Sequence, residues 1–588
     1  MKKIIISLFA PVAALFASCS LDEHPKNLST GALTELADGP EQLVTGIYSI
    51  CWSSYMMKKT YLEWLDYDCD LIAGPSWAIS GAGQGNVTTH WGYNGDSDLF
   101  TAFYRLIYRC NYAQYFFESF ADLGNPRLKQ LYGEIFFMRA WAYFHLVRMY
   151  GPVPLRLSAA PTPDCPRSPV GDIYARIEAD LQASFSHLQD GAPGGWGHAN
   201  LTAAQILLAR VYCTMASGKL AGSHVQMYAN ICNQTGANSD PDPIANGNAT
   251  LTWTQFTTKP VMGSLMLIDG YYDFDADDLY GKARDLCDEV IGRRGQSFDM
   301  LADWGAQWGS ENFRNKEFVW GIACYDKEDF RTEGSPYYTV PSSWGGGCTI
   351  SLSDACWSMY NWDNTPGAIN DDRAVKGIWH YIKCGHVQGD DLIGKQWYRF
   401  PSGAMQYSTA PDNLGDVKDM TRDLTGWYRG GAWSTKWYWG KLSDPTPVSK
   451  LLENKMAFDI VLIRFCEAYL LRAEAKCELN DLSGALADLN EVRTRAHARP
   501  ITATGQVELR SRIFEERALE FVTEYMRKFD LLRWGMYLNV MNASLMHLAP
   551  DGTSGRTMVR EERSVLFPLP TSEVNQNKLI YGENNPGW

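Results

Sequence analysis

The sequence predicts a mainly α protein in which two helical regions flank a long, loop-rich insertion. Apolar residues recur at helical spacing up to about residue 220 and again from about residue 458 to the end of the chain. Between these regions, residues 221–457 show no sustained helical period and are rich in Gly, Pro, Asn, Asp and aromatic residues. Long irregular segments within large proteins are usually functional. We therefore expect the insertion to be functional and the helices to support it.

The first 18 residues predict an export signal. Lys2 and Lys3 precede an apolar run from Ile4 to Phe16, which is too short to span a bilayer. The following Ala17-Ser18-Cys19 resembles the cleavage and lipidation site of a bacterial lipoprotein, so Cys19 would become an acylated first residue. Two or more acyl chains would give stable membrane anchoring. The alternative is an ordinary secretory signal with a chance cysteine.

The first region, residues 19–220, is expected to be helical with an aromatic loop. One predicted helix is apolar on more than one face, so it must pack between neighbours, and Gly151-Pro152 ends it. Thr202-x-x-Gln205 predicts a capping box at the start of another helix. The predicted helices cover residues 101–109, 134–150, 174–188 and 203–216. In the insertion, the main predicted helix is a short one over 282–291.

The last region, residues 458–588, returns to helices and ends in a tail. A helix predicted over 458–479 is followed by a turn at Asn480-Asp481 and a helix over 483–496. This pair resembles a tetratricopeptide unit, in which antiparallel helix pairs stack because one pair cannot bury its own apolar face. A long helix is predicted from about Glu508 to Arg533. The residues that carry the repeat pattern are Ala475, Leu479, Asn480, Leu482 and Ala485.

Charged residues on this long helix predict a structural role. They alternate in sign at helical spacing, which places several opposite charges close together. We interpret them as ion pairs that lock the helix to its neighbours rather than as catalytic groups. The residues are Glu516, Arg517, Glu520, Glu524, Arg527, Asp530 and Arg533.

Composition excludes several classes of function. A net charge of −14 disfavours a nucleic-acid partner, and the 14 cysteines show no C-x-x-C pair or zinc-site spacing, so most are expected to be buried thiols. Asp273-x-Asp275-x-Asp277 begins like a calcium loop, but Asp278 stands at the required glycine and Arg284 at the bidentate glutamate. No cofactor is predicted, although a looser calcium site stays open.

Five segments, in order along the chain, resemble the SusD/RagB family of outer-membrane glycan-binding lipoproteins. The strongest, Glu516 to Gly535, matches the family pattern E-R-x-x-E-[FL]-x-x-E-x-x-R-x-[FY]-D-L-x-R-W-G nearly throughout. Three further segments resemble the family at Glu134 to Leu155, Leu207 to Tyr212 and Arg464 to Ala496. The closing Asn585-Pro586-Gly587-Trp588 is similar to the family's Q-N-P-G-Y ending.

The resemblance implies a SusD-like fold and a non-enzymatic role in polysaccharide utilisation. Such a protein would capture an oligosaccharide at the cell surface and deliver it to a SusC-like TonB-dependent transporter. Cys19 would tether it to the outer membrane, and Asp22 and Glu23 resemble the surface-display signal of Bacteroidota lipoproteins. The tether would hold the protein beside the transporter at a high effective concentration, so weak contacts would suffice.

Aromatic residues indicate where a glycan could bind. Of the 21 tryptophans, 12 lie between residues 301 and 440, and Trp91 lies in a glycine-rich loop of the first region. Sugar rings stack on indoles through their C–H faces, while polar side chains bind the hydroxyl groups. The alternative is that these indoles fill a core. Chosen from their surroundings alone, the expected ligand-binding residues are Trp91, Tyr93, Asn94, Trp304, Trp308 and Trp344.

Two other functions stay open. A glycoside hydrolase would also need aromatic platforms, together with two carboxylates about 5–9.5 Å apart. Asp354, Asp363, Asp371 and Asp372 lie among the tryptophans, but their spacing selects no pair. A peptide-binding, RagB-like import component is the other alternative, because part of the family is thought to serve peptide import.

Overall fold

The protein is a stack of paired helices that carries several small sheets. The mainly α class predicted from the sequence is confirmed. The computed structural model describes residues 36, 38–52, 56, 65–66, 68–73, 98–234, 249–259, 274–308, 314–323, 351–353, 356, 359–360, 369, 371–375, 377–380, 396–399, 405–408, 432–434, 436, 459–544 and 560–588.

The helices fall into an N-terminal and a C-terminal set. The N-terminal set is α1 (Gly39–Cys51), α2 (Asp98–Phe120), α3 (Pro126–Tyr150), α4 (Val170–Phe185), α5 (Leu201–Gly222) and α6 (Ala276–Gly292). After a single turn, α7 (Asp372–Val375), the C-terminal set is α8 (Cys466–Glu478), α9 (Leu482–Arg495), α10 (Gln506–Glu520), α11 (Arg527–Arg533), α12 (Tyr537–Ala543) and α13 (Thr571–Gln576).

Consecutive helices pack on one another along the stack. The pairs α1/α2, α3/α4, α5/α6 and α8/α9 each form a hairpin-like unit, and α2 on α3, α4 on α5 and α6 on α8 join one unit to the next. A continuous apolar core runs through the units from Val44 to Ile580. This arrangement follows the logic of helical repeats, in which neighbouring pairs bury the faces that a single pair leaves open.

The strands are short and mostly form two-stranded ladders. All are antiparallel: β2 (Val153–Pro154) with β3 (Arg167–Ser168), β4 (Gln226–Gln234) with β5 (Ala249–Thr257), and β9 (Gln396–Arg399) with β10 (Met405–Ser408). β12 (Ile460–Arg464) pairs with β6 (Phe318–Ile322). A four-stranded sheet has the order β1 (Ile72–Ala73), β7 (Ser351–Leu352), β11 (Ala432–Ser434), β8 (Ile378–His380).

Asparagine caps set the starts of α3 and α5, and both starts differ from the prediction. α3 begins at Pro126, eight residues before the predicted start, because Asn125 caps it by accepting a hydrogen bond from the Arg127 N–H. α5 begins at Leu201 with Asn200 as its cap, so the predicted capping box is wrong. Thr202 instead lies within the helix, where its hydroxyl donates to Asp190 at 2.7 Å.

The predicted helix over 458–479 is wrong in its first third. Residues 460–464 form strand β12, and the helix α8 begins only at Cys466. The Ile460-Val461-Leu462-Ile463 run is rich in β-branched residues, which favour strands. A short apolar run has no period that separates a buried strand from a buried helix, and the partner strand β6 lies far away in sequence.

The long helix predicted from Glu508 to Arg533 is two helices separated by a turn. Thr523 and Tyr525 adopt left-handed backbone conformations with φ of 61° and 64°. Groups from distant segments hold this turn: the main-chain oxygen of Glu520 accepts from Arg464 and Lys436, at 2.9 and 2.6 Å. Left-handed conformations at such residues are costly, and these tertiary contacts provide the compensation.

The C-terminal tail is fastened by the motif that closes the sequence. The Asn585 side chain is buried and donates to the main-chain oxygens of Tyr150 and Phe567, while its own oxygen accepts from Arg167. Trp588 donates from its indole to the Leu566 oxygen at 3.1 Å. The tail is therefore attached to the end of α3.

The cysteines of the described part are free thiols. All of them except Cys165 are buried. This agrees with the expectation that most cysteines act as small apolar residues.

Candidate functional site

The alternating charges of α10 and α11 lie inside the protein. This confirms their predicted structural role, because their partners come from several distant elements. The Arg527 guanidinium binds both oxygens of Asp70, at 2.7 and 2.8 Å, and so attaches α11 to the N-terminal segment. The side chains of Glu516, Arg517, Glu520, Glu524, Arg527, Asp530 and Arg533 are all buried.

Glu520 is the centre of this buried network. Three guanidinium groups approach its carboxylate: Arg464 at 2.8 Å, Arg495 at 2.9 Å and Arg373 at 3.1 Å. Burial alone would raise the pKa of Glu520, but the positive charges of Arg495, Arg464 and Arg373 outweigh it and hold the pKa well below its usual value. The carboxylate is thus a fixed structural anion.

One set of possible metal ligands occurs in the described part of the chain. Glu317, Cys466 and Glu520 have ligand atoms within 4.8 Å of one another. However, Arg464 and Arg495 donate to both Glu317 and Glu520, so their charges already neutralise these carboxylates. The arrangement suits guanidinium groups, and we assign no metal to it.

Two of the predicted ligand-binding tryptophans lie in the interior, and this part of the prediction is corrected. Trp304 is 1% exposed and Trp308 is 4% exposed. The Trp304 indole donates to Glu520 at 3.2 Å, and the ring of Trp308 packs against Phe318, with centroids 5.2 Å apart. A ring enclosed in this way has no free face for a sugar. These indoles fill the core, which was the alternative interpretation of the tryptophan cluster.

The remaining predicted residues lie outside the described part of the chain. Trp91, Tyr93, Asn94 and Trp344 stay a prediction for the ligand platform. Cys19 likewise stays a prediction for the lipid anchor.

The carboxylates proposed for a hydrolase are engaged where they are described. Asp371 binds the Arg373 guanidinium at 2.7 and 2.9 Å, and Asp372 lies 2.9 Å from His497 Nδ1. Both aspartates are buried, with 7% exposure. Asp354 and Asp363 lie outside the described residues. The Asp371 carboxylate is therefore engaged in a local ion pair with Arg373 and is not presented in an open cleft.

The acidic run that begins like a calcium loop is the start of a helix. Asp275 caps α6 by accepting from the Asp277 N–H at 2.9 Å, and Asp278 pairs with Lys282 at 2.9 Å. Acidic residues in a first turn are stabilised by the helix dipole. Asp273 lies outside the described residues.

A surface cleft of about 440 Å³ lies along the first turns of α2. Phe103 and Leu106 are fully buried and fix this helix to the core, which leaves the Tyr104–Arg109 side at the surface. The other walls of the cleft come from the end of α1, from Arg156 and from α13. The Tyr104 hydroxyl donates to the Pro154 oxygen at 2.7 Å, which holds this ring in place.

The cleft carries positive charge. Glu573, from α13, is paired with Arg156 at 2.7 Å. Arg109 donates to two uncharged groups, the Gly46 oxygen and the Ser49 hydroxyl. Arg105 is exposed and has no carboxylate partner among the described residues. Burial and the neighbouring charge of Arg105 lower the pKa of Arg109.

This cleft is absent from the sites predicted from the sequence. A signal was present, because the dipeptide Tyr-Arg occurs at 104–105 and again at 108–109, one helical turn apart. The spacing of that segment by itself predicts only a helix. Whether such a face is covered depends on the neighbours, which the sequence of the helix does not specify.

No helix of the described part combines enough length with enough apolar character to cross a bilayer.

Two family models match this chain, one in the N-terminal helical region and one from the second half of the loop-rich insertion to the end of the sequence. One, described as the SusD family, matches residues 358–588. The other, described as starch-binding associating with outer membrane, matches residues 72–213.

Three curated relatives are similar to the chain. A SusD-like protein of Formosa agariphila is 29% identical over 146 residues, and the starch-binding protein SusD of Bacteroides thetaiotaomicron is 30% identical over 174 residues. These matches cover 24% and 30% of this chain, and 26% and 29% of the two relatives, so the chain matches less than a third of either length. A second Formosa agariphila SusD-like protein is 23% identical over 77% of this chain and 73% of its own.

The fold is similar to that of solved SusD structures. A SusD homologue from Bacteroides thetaiotaomicron aligns with a TM-score of 0.67 at 16% identity, over 95% of this chain and 99% of its own. A SusD superfamily protein from Bacteroides vulgatus aligns at 0.66 and 16% identity, over 94% and 100%. A laminarin-binding SusD-like protein aligns at 0.59 and 16% identity, over 93% and 99%.

Proposed function

Because this chain belongs to the SusD family, we propose that it is a non-enzymatic, glycan-binding lipoprotein of the outer membrane. It captures an oligosaccharide at the cell surface and delivers it to a SusC-like TonB-dependent transporter. The observation that carries the proposal is the family match in two separate parts of the chain, at residues 72–213 and 358–588.

The names of the relatives support a saccharide ligand. Starch is named for one curated relative, laminarin for one solved structure, and a surface glycan for a Bacteroides fluxus protein whose fold aligns with a TM-score of 0.60. These ligands differ, so they support the class of ligand and not its identity. The recognition surface is expected in the insertion and the early aromatic loop.

The distribution of charge supports a binding role over a hydrolytic one. The acidic groups of the strongest family motif are buried against arginines, as the pairing of Glu520 with Arg464 illustrates. Asp371, one of the candidate hydrolase carboxylates, is bound by Arg373. A hydrolase needs two accessible carboxyl groups across the scissile bond, and neither residue meets that requirement.

The proposed ligand platform consists of Trp91, Tyr93, Asn94 and Trp344. Titration calorimetry with maltotetraose and laminaritetraose tests it, using the mature protein and the Trp91→Ala, Tyr93→Ala, Asn94→Ala and Trp344→Ala variants. Loss of one stacking residue should weaken binding by about 1 kcal/mol or more. Tyr581→Ala is the matched control, because Tyr581 is 73% exposed on the C-terminal tail.

The outcomes separate the alternatives. Binding with unchanged sugar supports capture, whereas shortened products on chromatography would select the hydrolase. Binding of peptides without binding of any glycan would select the RagB-like alternative. A tagged protein should co-purify with a TonB-dependent transporter from outer membranes, and Cys19→Ala should release it from the membrane fraction.

A further inference from the structure

We propose that the cleft along α2 binds the carboxylate or sulfate group of an acidic oligosaccharide, with Arg105 as the charged contact and Tyr108 as a stacking surface. This site rests on the proposed glycan-binding function and narrows its ligand class. It is built from described residues, and none of them is among the predicted platform residues Trp91, Tyr93, Asn94 and Trp344.

The cleft has the size and lining of a ligand site. Its volume of about 440 Å³ lies within the usual range of about 300–1,000 Å³ for small-molecule pockets. Phe100 and Tyr104 form its apolar wall, and their rings lie 4.7 Å apart. Tyr108 is 45% exposed at the same wall. An exposed ring beside a formed wall offers a free face for the C–H side of a sugar ring.

The walls are held rigidly before any ligand binds. Tyr104 is fixed by its hydrogen bond to Pro154 and by the Arg156 guanidinium, which lies 4.9 Å from the ring centroid. Arg156 is in turn held by Glu573 of α13. Preorganised walls reduce the entropy that binding must overcome, so a ligand would gain contacts at little conformational cost.

The charge of the cleft selects the ligand. The cleft is lined by three arginines and one carboxylate: Arg105, Arg109, Arg156 and Glu573. The Glu573 carboxylate is already paired with Arg156. The two remaining guanidinium groups lie one helical turn apart in a protein whose net charge is −14. Acidic groups exceed basic groups in the chain, by 67 to 53, yet Arg105 has none beside it among the described residues. A planar guanidinium is suited to bind a carboxylate or sulfate through two hydrogen bonds.

The test uses calorimetry of the full mature protein with four probes. Tetragalacturonate carries carboxylates, a carrageenan-derived tetrasaccharide carries sulfates, laminaritetraose is neutral, and tetraglutamate is an acidic peptide. Arg105→Gln should weaken binding of at least one acidic saccharide by about tenfold, the effect of losing one charged hydrogen bond. It should leave any binding of laminaritetraose unchanged. Raising the salt concentration should weaken the binding of the acidic saccharide several-fold.

Two further variants keep the result interpretable. Tyr108→Ala should weaken the binding of the same acidic saccharide without changing the salt dependence of that binding. Arg284→Gln is the control for loss of one positive charge, since Arg284 lies on α6, pairs with Asp285 and does not line the cleft. Arg105 is preferred to Arg109 as a target because Arg109 also holds the Gly46 oxygen of α1.

Different results would overturn the two proposals separately. If laminaritetraose binds but neither acidic saccharide responds to Arg105→Gln, the cleft assignment is wrong and the glycan-binding function stands. If no saccharide binds, both are wrong. Binding of tetraglutamate with a loss in Arg105→Gln, and no binding of acidic saccharides, would also overturn the assignment.

Discussion

The Nη1 atom of Arg464 lies 2.8 Å from Oε1 of Glu520, where neither side chain is more than 1% exposed. Arg464 belongs to strand β12 and Glu520 to the last turn of α10, so this contact connects the strand that precedes the α8/α9 pair to α10. Arg464 also reaches Glu317 and Glu524, at 3.1 and 2.8 Å. Buried ion pairs of this kind fix relative positions, because breaking one leaves an uncompensated charge.

Replacing Glu520 by Gln should destabilise the protein by about 3–5 kcal/mol, because Arg464, Arg495 and Arg373 would lose a shared anion. The pKa of Glu520 lies below its usual value of 4.5, so its contribution is present at neutral pH and is lost only as the pH falls below that value. Urea unfolding measures the change. Glu491→Gln, which breaks an exposed pair with Arg294, should cost no more than about 1 kcal/mol; equal effects would contradict the buried network.

Replacing Asp66 by Asn should reduce the loss of stability at alkaline pH. Burial raises the pKa of Asp66 to about 8 from 3.8, although a hydrogen bond from the Tyr525 N–H opposes the shift. Because the folded-state pKa is raised, this group's contribution falls as the pH increases from about 4 through 8. The free energy of unfolding of the variant should therefore exceed that of the wild type by on the order of 1–3 kcal/mol at pH 9. At pH 5 the difference should be smaller.

Unfolding at pH 5, 7 and 9 measures this difference, with Asp278→Asn as an exposed control. The other Asp66 oxygen accepts no hydrogen bond from the described residues, so the Asn amide removes charge without removing a contact there. A difference that is constant with pH, or that shrinks as the pH rises, would contradict the assignment.

Replacing Gly535 by Ala should destabilise the end of α11 by about 2–4 kcal/mol. Gly535 has a φ of 61°, and an added Cβ would lie 2.5 Å from the Lys259 oxygen. The opposite result is expected for Gly281→Ala in α6, where a Cβ meets nothing within 4 Å and alanine favours the helix by about 1 kcal/mol. Thermal unfolding should therefore show a lower Tm for Gly535→Ala and a higher Tm for Gly281→Ala than for the wild type. Shifts of both Tm values in the same direction would contradict this account.

Replacing Trp304 by Ala should destabilise the protein, because this indole fills the core and does not belong to the ligand site. The loss of a buried indole costs about 3–5 kcal/mol, and the Trp304 hydrogen bond to Glu520 is lost as well. Trp304→Phe keeps most of the ring and should give a folded protein whose glycan affinity equals that of the wild type. If the Trp304→Phe protein is folded but binds glycan more weakly, the prediction is wrong and Trp304 contributes to ligand binding.

Part of the fold could be predicted from the sequence because its causes are local. The helical period of α2, α3 and α5, the stop at Gly151 and the turn at Asn480 are short-range effects of apolar spacing and backbone freedom. Alternating charges from Glu516 to Arg533 were also correctly interpreted as structural. The strand at Ile460–Arg464 was missed because its partner β6 is distant in sequence, and local periodicity contains no information about such pairing.

The sequence by itself determined the class of the protein, the helical pairs and the family to which the chain belongs, because these follow from periodic and ordered motifs. Only the tertiary structure decided which aromatic rings are enclosed and which charges lack a partner. Trp304 and Tyr108 both lie in sequence rich in aromatic residues, yet one is 1% and the other 45% exposed. The physical reason is that exposure depends on what packs against a side chain, and those neighbours come from elsewhere in the chain.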